Sequence, residues 1–116
     1  MRFLITIDGS DIGAGMPPEQ LVQLIDQMVI PSIEQLDQWD RAGRIHGGGY
    51  TAARGAVFMI DADSSEEVDQ LLSSLPYWGL VKIDVKPLIS TSAMLERGRA
   101  MIQGLHERAK AAHEGV

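Results

Sequence analysis

The clearest indication of the fold comes from residues 56–87, which read AVFMIDADSSEEVDQLLSSLPYWGLVKIDVKP. The stretch begins with five consecutive apolar residues, 56–60, which predict a strand covered on both faces. It ends with residues 81–86, where apolar and charged residues alternate, as is typical of a strand with one buried face. Pro87 is expected to close this second strand, because its ring removes a hydrogen-bond donor.

A helix is predicted between these two strands. Ser64 and Glu67 form a capping box, in which the serine hydroxyl accepts from the amide of Glu67 and the glutamate reaches back. Apolar residues then recur at helical spacing and would form the buried stripe of the helix, namely Val68, Leu71, Leu72 and Leu75. Pro76 is expected to end the helix.

The first half of the chain shows the same succession of strand and helix. Residues 2–8 are apolar on both parities, which predicts another strand with both faces covered. After a loop with three glycines, 9–15, apolar residues recur at helical spacing from Glu19 until Gly43. Pro31 lies inside this pattern and predicts a kink or a division into two helices.

Glycines interrupt the pattern of the predicted second strand. Residues 44–51 suggest a strand that is diluted by the glycine run 47–49. With simple alternation along the strand, His46 and Tyr50 face away from the helices. If the glycine run forms a bulge, the residues of the opposite parity face away from the helices instead. We expect Gly48→Val to disturb this strand, because a bulge or a close ligand approach would need the missing Cβ.

The predicted elements follow the order βαββαβ and then a final helix, which Ser92 would cap and which would fray into a tail. This order is that of a ferredoxin-like α+β fold with an antiparallel sheet, in which the first and third strands are central. Residues 1–89 are expected to form the domain, and residues 90–116 a C-terminal helical extension of it.

The pattern also predicts self-association. Two helices cover only one face of a four-stranded sheet, so Leu4 and either Val57 or Phe58 would remain on an open face. A second copy packed sheet against sheet would cover these residues, and the final helix could contribute. We therefore expect a homodimer.

Composition excludes several functional classes. The 116 residues suffice for one domain, and a net charge of −6 with scattered bases argues against binding to nucleic acid or to anionic membranes. No apolar run approaches the roughly 18 residues of a membrane span. The N-terminal stretch reaches Asp8 too soon for a signal-peptide core. Cysteine is absent, which excludes disulfides and thiolate nucleophiles. A cytoplasmic protein is expected.

Alternation places polar side chains on the open face of the predicted sheet. They are Thr6, His46, Tyr50, Lys82 and Asp84, with Arg44 at the start of the second strand. Imidazole has the unperturbed pKa nearest neutrality, so His46 is a natural candidate for a general base. In the alternative interpretation, His46 is structural, and Lys82 and Asp84 are solvated charges that protect a sheet edge.

No cofactor or metal site is expected. His106 and His113 lie seven residues apart on the final helix, about 10 Å along its axis, which is too far for one metal ion. The glycine run is not followed by Lys-Ser or Lys-Thr, and it does not match a dinucleotide-binding motif.

Residues 72–88 resemble muconolactone isomerases, in which a helix closing in Leu-Pro is followed by a strand of the form Ile-acid-Val-x-Pro-Leu. This chain has Leu75-Pro76 and then Ile83-Asp84-Val85-Lys86-Pro87-Leu88. The likeness extends over roughly residues 1–90, and it implies a dimeric α+β barrel with a ligand cavity between sheet and helices. The chain departs from the family in its glycine run and in its longer C-terminal helix.

The resemblance implies a cytoplasmic, cofactor-independent enzyme of aromatic catabolism that shifts a proton on a small lactone or enolisable acid. His46 or Asp84 would act as the base, and Lys82, Tyr50 or Arg44 would hold the anionic oxygens, with Thr6 as a further substrate contact. Two alternatives remain open, because fold does not fix activity. One is a non-enzymatic module for small-ligand binding or oligomerisation, and the other is a cofactor-free monooxygenase.

Overall fold

A four-stranded antiparallel sheet forms the body of the protein. The computed structural model describes residues 1–114. The strands are β1 (Arg2–Asp8), β2 (Ile45–Gly49), β3 (Gly55–Asp61) and β4 (Lys82–Leu88), and their spatial order is β2-β3-β1-β4. This order confirms the predicted ferredoxin-like topology, with β1 and β3 at the centre.

The core lies on one face of this sheet. Phe3, Ile5 and Ile7 of β1 are buried against the helices, and in register beside them β3 buries Ala56, Phe58 and Ile60. The alternate residues of these two strands point to the other side, which no helix within residues 1–114 covers; they are Leu4, Thr6, Val57 and Met59. We call this other side the open face.

Two helices joined by a wider turn cover β2 and β3. Helix α1 spans Pro18–Leu24 and α2 spans Ile30–Arg41, and the segment Ile25–Val29 between them is π-helical. In that turn the N–H of Ile30 donates to the carbonyl of Ile25, five residues back. Pro31 follows at once in the first turn of α2, where its missing N–H costs least, so the predicted division of the helix is confirmed.

Helix α3 (Ser65–Ser73) packs on the other half of the sheet and begins with the predicted cap. The Ser64 hydroxyl accepts from the amide of Glu67 at 3.2 Å. The carboxylate of Glu67 accepts from the amide of Asp63 at 2.9 Å, one residue before the cap itself. Helix α3 buries Val68 and Leu72, so it completes the core beneath β1 and β4.

Three details at the C-terminal end differ from the sequence prediction. Strand β4 continues through Pro87 to Leu88, because an edge strand can leave an N–H position unpaired. Ser90 caps the last helix instead of Ser92, since its hydroxyl accepts from the amide of Ala93 at 3.0 Å. That helix, α4 (Thr91–Glu114), continues where a frayed tail was expected.

Helix α4 projects from the body and contributes nothing to the core. None of residues 91–114 is buried, and the described chain extends over 74 × 34 × 26 Å. Its radius of gyration is 21.0 Å, against about 13 Å for a compact chain of 100 residues. Within residues 1–114, no helix is both long and apolar enough to cross a membrane, and this includes α4.

The structure also settles the parity of β2. Ile45 pairs with Ile60 on the helix side, and His46 pairs with Met59 on the open face, as the simple alternation predicts. The sequence prediction for Gly48 is wrong, because a Cβ there would meet no atom within 4 Å. At Gly47, by contrast, φ is +157° and a Cβ would overlap the carbonyl oxygen of Val57.

Neighbouring glycines of β2 should therefore respond differently to the same substitution. Gly47→Ala is expected to lower the free energy of unfolding by roughly 1–3 kcal/mol, because strand β3 must move away from the added methyl group. Gly48→Ala is expected to change it by less than about 0.5 kcal/mol. Urea denaturation of both variants measures the difference, and equal losses would contradict this account of β2.

Candidate functional site

A largely apolar cavity of about 590 Å³ lies between the sheet and the α1–α2 helices. Its floor is formed by Ile7, Ala56 and Phe58 of the sheet. Its helical wall is formed by the apolar residues Leu21, Ile25, Val29, Ile33 and Leu36. Volumes of roughly 300–1,000 Å³ are typical of sites for small organic molecules. The cavity has the position that the family resemblance implies.

The glycine run of β2 explains why there is space at this point. The helix-facing positions of β2 are occupied by Ile45, Gly47 and Gly49. Two of these three positions therefore carry no side chain. Gly47, Gly48 and Gly49 all line the cavity. A side chain at Gly47 would meet the backbone of β3 and displace that strand, so this wall of the cavity depends on the glycine.

A few polar groups line the otherwise apolar cavity: Asp37 and Asp40 of α2, and Tyr50 and Arg54 of the β2–β3 turn. Asp37 forms an ion pair with Arg41 at 3.0 Å, and Asp40 has no ion-pair partner within residues 1–114. The Arg54 guanidinium donates to the carbonyl of Ile12 at 3.4 Å. A carboxylate and a guanidinium thus lie at the same apolar cavity.

Tyr77 also lines the cavity and is held by a buried hydrogen bond. The hydroxyl of Ser32 is fully buried, donates to the carbonyl of Met28 at 2.7 Å and accepts from the backbone N–H of Tyr77 at 2.9 Å. This pair of bonds fixes the start of the loop before β4 against α2. Burial raises the pKa of the Tyr77 phenol, so the phenol remains a neutral hydrogen-bond donor at neutral pH.

Of the residues selected from the sequence, only Tyr50 lines this cavity. The prediction that Tyr50 lies on the open face is wrong, because β2 ends at Gly49 and Tyr50 begins the turn to β3. Thr6, His46, Lys82 and Asp84 lie on the open face, as the alternation predicted. Strands β2 and β4 are the two edges of the sheet, so His46 and Asp84 are separated by three strand spacings, about 14 Å. One chain alone therefore does not bring them together, and their catalytic roles stay a prediction.

The charged residues of the selected set are engaged in exposed ion pairs. Lys82 meets Asp11 at 3.2 Å, Asp84 meets Lys86 at 3.5 Å, and Arg44 meets Glu67 at 3.4 Å. Exposed pairs of this kind contribute little to stability. They do leave these side chains on the surface of the chain, where a second copy or a ligand can reach them.

Electrostatic shifts on the open face have local causes. The Arg2 guanidinium donates to Asp61 at 3.0 Å and lowers the pKa of that carboxyl. The amide of Ser10 donates to Asp8 at 2.9 Å and lowers the pKa of Asp8 in the same way. Within residues 1–114, no group of three or more His, Asp or Glu side chains is placed to hold a metal ion.

Sequence reasoning missed Asp37, Asp40, Arg54 and Tyr77, although α2 contains a signal for two of them. Asp37 and Asp40 follow Ile33 and Leu36 at intervals of three and four residues, so they continue the inward-facing stripe of the helix. Acidic residues in an apolar stripe indicate a polar end to a buried surface. Nothing comparable in the sequence distinguishes Arg54 or Tyr77.

A family model matches this architecture. The model of muconolactone delta-isomerase covers residues 1–93 of the chain, which is the sheet with α1, α2 and α3. The chain belongs to the muconolactone delta-isomerase family. The resemblance found in residues 72–88 is thereby confirmed, and almost all of α4 lies outside the part that the muconolactone delta-isomerase family shares.

Solved structures show the same fold. A crystal structure of muconolactone isomerase superposes with a TM-score of 0.61 at 21% identity, covering 78% of this chain and 90% of the other. The 5-chloro-2-hydroxyhydroquinone dehydrochlorinase of Burkholderia phenoliruptrix AC1100, solved with 2,5-dihydroxybenzoquinone, superposes with a TM-score of 0.53 at 22% identity. That alignment covers 77% of this chain and 94% of the other. No curated protein sequence matches the chain significantly.

The buried Ser32 hydroxyl should be important for stability. Ser32→Ala leaves the N–H of Tyr77 buried without its partner, and we expect a loss of roughly 1–3 kcal/mol in the free energy of unfolding. Ser73→Ala is the matched control, because its exposed hydroxyl also donates to a carbonyl of its own helix. Chemical denaturation compares the two, and an equally small effect of both would show that the Ser32 bridge is dispensable.

Proposed function

We propose that this protein is an enzyme of aromatic catabolism that shifts a proton on a small unsaturated lactone or enolisable acid without a cofactor. Membership of the muconolactone delta-isomerase family supports this proposal. The names of the two matched proteins refer to a lactone and to a hydroxylated chloroaromatic compound, which suggests small oxygenated rings as the substrate class. We further propose that it acts in the cytoplasm.

The observation that supports catalysis best is the combination of Asp40, Arg54 and Tyr77 at one apolar cavity. Apolar walls exclude water from a bound ring, and exclusion of water strengthens each electrostatic interaction inside. A site for proton abstraction next to a carbonyl needs a base and a donor that stabilises the oxyanion. The cavity offers both types of group.

In the proposed mechanism, Asp40 takes a proton from the carbon next to the unsaturated carbonyl. The electron pair moves onto the carbonyl oxygen, and the phenol of Tyr77 donates a hydrogen bond to the resulting dienolate. Arg54 pairs with the substrate carboxylate and orients the ring. Asp40 then returns the proton to a different carbon of the dienolate, so the product is an isomer and no other reactant is consumed.

The residues selected from the sequence form an alternative catalytic set on the open face. There His46 or Asp84 would act as the base, and Lys82, Arg44 and Thr6 would bind the substrate. This set would need a second copy, because one chain separates β2 from β4 by the width of the sheet. Tyr50, which lines the cavity, would serve the first set as a substrate contact.

We also propose that two copies pack their open faces together as a homodimer. Leu4, Val57 and Met59 lie side by side on β1 and β3 and form an apolar centre for such an interface. Charged residues of β4, and the Arg2–Asp61 pair, lie around this centre. An apolar centre with a polar rim is the usual arrangement at protein interfaces.

Activity measurements can separate the two catalytic sets. With a series of small unsaturated lactones, we expect Asp40→Asn to lower kcat by about 10²-fold or more, the usual effect of losing a general base. Asp26→Asn, an exposed carboxylate of the same helical run, is the matched control. Proton exchange of the substrate in D2O, followed by NMR, detects enolisation even where the isomerised product does not accumulate.

The outcome for His46→Ala decides between the two faces of the sheet. We expect the kcat of His46→Ala to stay unchanged. A decrease of about 10²-fold in the kcat of His46→Ala, together with an unchanged kcat of Asp40→Asn, would instead assign catalysis to the open face. Calorimetric binding of a lactone without turnover or exchange would identify a ligand-binding module instead. Each result therefore supports one of the three interpretations.

Sedimentation velocity tests the pairing of open faces. Val57→Glu places a charge at the apolar centre and should lower the sedimentation coefficient relative to the unmodified chain, because burial of an unpaired carboxylate is costly. Ile89→Glu makes the same replacement at an exposed residue between β4 and α4, and it should have no such effect. Identical values for all three proteins would contradict the proposed dimer.

A further inference from the structure

One polar end of the cavity lies beside the start of β2. Only residues 42–44 join α2 to β2, and a connection this short makes the helix run antiparallel to the strand. The N–H of Arg44 donates to the carbonyl of Trp39 at 2.9 Å, which holds the end of α2 against the start of β2. Asp40 lines the cavity from this last turn of α2.

The other polar end lies beyond the end of the same strand. Arg54 belongs to the turn between β2 and β3, and its guanidinium donates to the carbonyl of Ile12 in the loop that follows β1. From Ile45 to Gly49 the strand spans about 13 Å. Because the guanidinium is held at that loop, a distance on the order of 10 Å separates it from the Asp40 carboxylate.

Between its two polar ends the cavity is apolar, and one of its walls has no side chains. Ile33 and Leu36 line it from α2, whereas the glycine run of β2 lines it with bare backbone. Backbone without Cβ atoms allows a ligand to approach closely. A planar apolar group, such as an aromatic ring, matches this shape and buries a large area for its size.

Gly49 shows that part of this space is not required by the fold. A Cβ at Gly49 would make only an ordinary van der Waals contact, 3.7 Å from the carbonyl oxygen of Gly55. A side chain can therefore be added there without displacing the backbone, in contrast to Gly47. The volume beside Gly49 belongs to the cavity, where a ligand can use it.

We propose that the substrate is an elongated unsaturated lactone, in which a flat apolar group separates the carboxylate from the reacting ring. The carboxylate pairs with Arg54, the flat group lies along the glycine run, and the lactone ring reaches Asp40. A carboxylate attached directly to the ring would leave one polar end of the cavity without its partner, which weakens binding. The role of Asp40 rests on the proposed function, whereas the shape of the ligand rests on the cavity alone.

Calorimetric titration with a series of butenolides tests this spacing. The carboxylate is attached to the lactone ring directly, through one para-phenylene ring, or through two such rings, which gives the direct, phenylene and biphenylene compounds. We expect the phenylene compound to have the lowest Kd, about 10-fold or more below that of the direct compound. Arg54→Gln should remove most of this advantage. The methyl ester of the phenylene compound is the matched control and should bind equally well to both proteins.

A substitution in the bare wall tests where the flat group lies. Gly49→Val narrows the middle of the cavity, and we expect it to raise the Kd of the phenylene compound about 10-fold or more, because an apolar site discriminates at the level of single methylene groups. The Kd of the direct compound should stay almost unchanged. Gly79→Val is the matched control, since Gly79 has open surroundings outside this cavity. Urea denaturation checks that the variants fold, and Gly49→Ala provides a smaller change at the same position.

Other outcomes would overturn the inference. They are a lowest Kd for the direct compound, equal Kd values across the series, and unchanged binding of the phenylene compound to folded Gly49→Val or Gly49→Ala. None of these readouts needs turnover. A protein that prefers the phenylene compound, yet neither isomerises it nor exchanges its proton in D2O, refutes the proposed function alone. A protein that isomerises only the direct compound refutes this inference and leaves the proposed function intact.

Discussion

The hydroxyl of Ser32 joins the two halves of this fold. It ties the carbonyl of Met28, in the π-helical turn, to the N–H of Tyr77, in the loop before β4. A buried amide without a partner is costly, so the loop can take its position only where that hydroxyl is available. The π-helical turn, the start of α2 and the placement of the Tyr77 side chain at the cavity therefore depend on one another.

Much of the fold follows from local rules that the sequence displays directly. Apolar residues on both parities of residues 2–8 and 56–60 identify the central strands, and Ser64 with Glu67 identifies the start of α3. The misplaced cap at Ser92 shows the limit of such rules. Ser90 and Ser92 are equally good caps by residue type, and the end of the edge strand β4 decides between them.

The candidate site was predicted less well than the fold, for a physical reason. Residue type and strand parity placed His46 and Asp84 correctly on one face. The predicted topology, however, already puts the second and fourth strands at opposite edges of the sheet, so parity alone could not bring the two side chains together. The cavity depends on absent side chains, since the glycine run of β2 lines it with bare backbone. Whether neighbouring helices fill such volume depends on how α1 and α2 bend around Pro31, which no single stretch of sequence specifies.

The net charge of the chain is distributed unevenly between the body and helix α4. A net charge of −6 describes an acidic protein, yet the acidity lies in residues 1–90 and α4 has a small positive charge. At moderate salt, electrostatic attraction between such surfaces is largely screened beyond about 10 Å. It therefore orients partners only at close approach, and burial of apolar surface provides most of the stability of a contact.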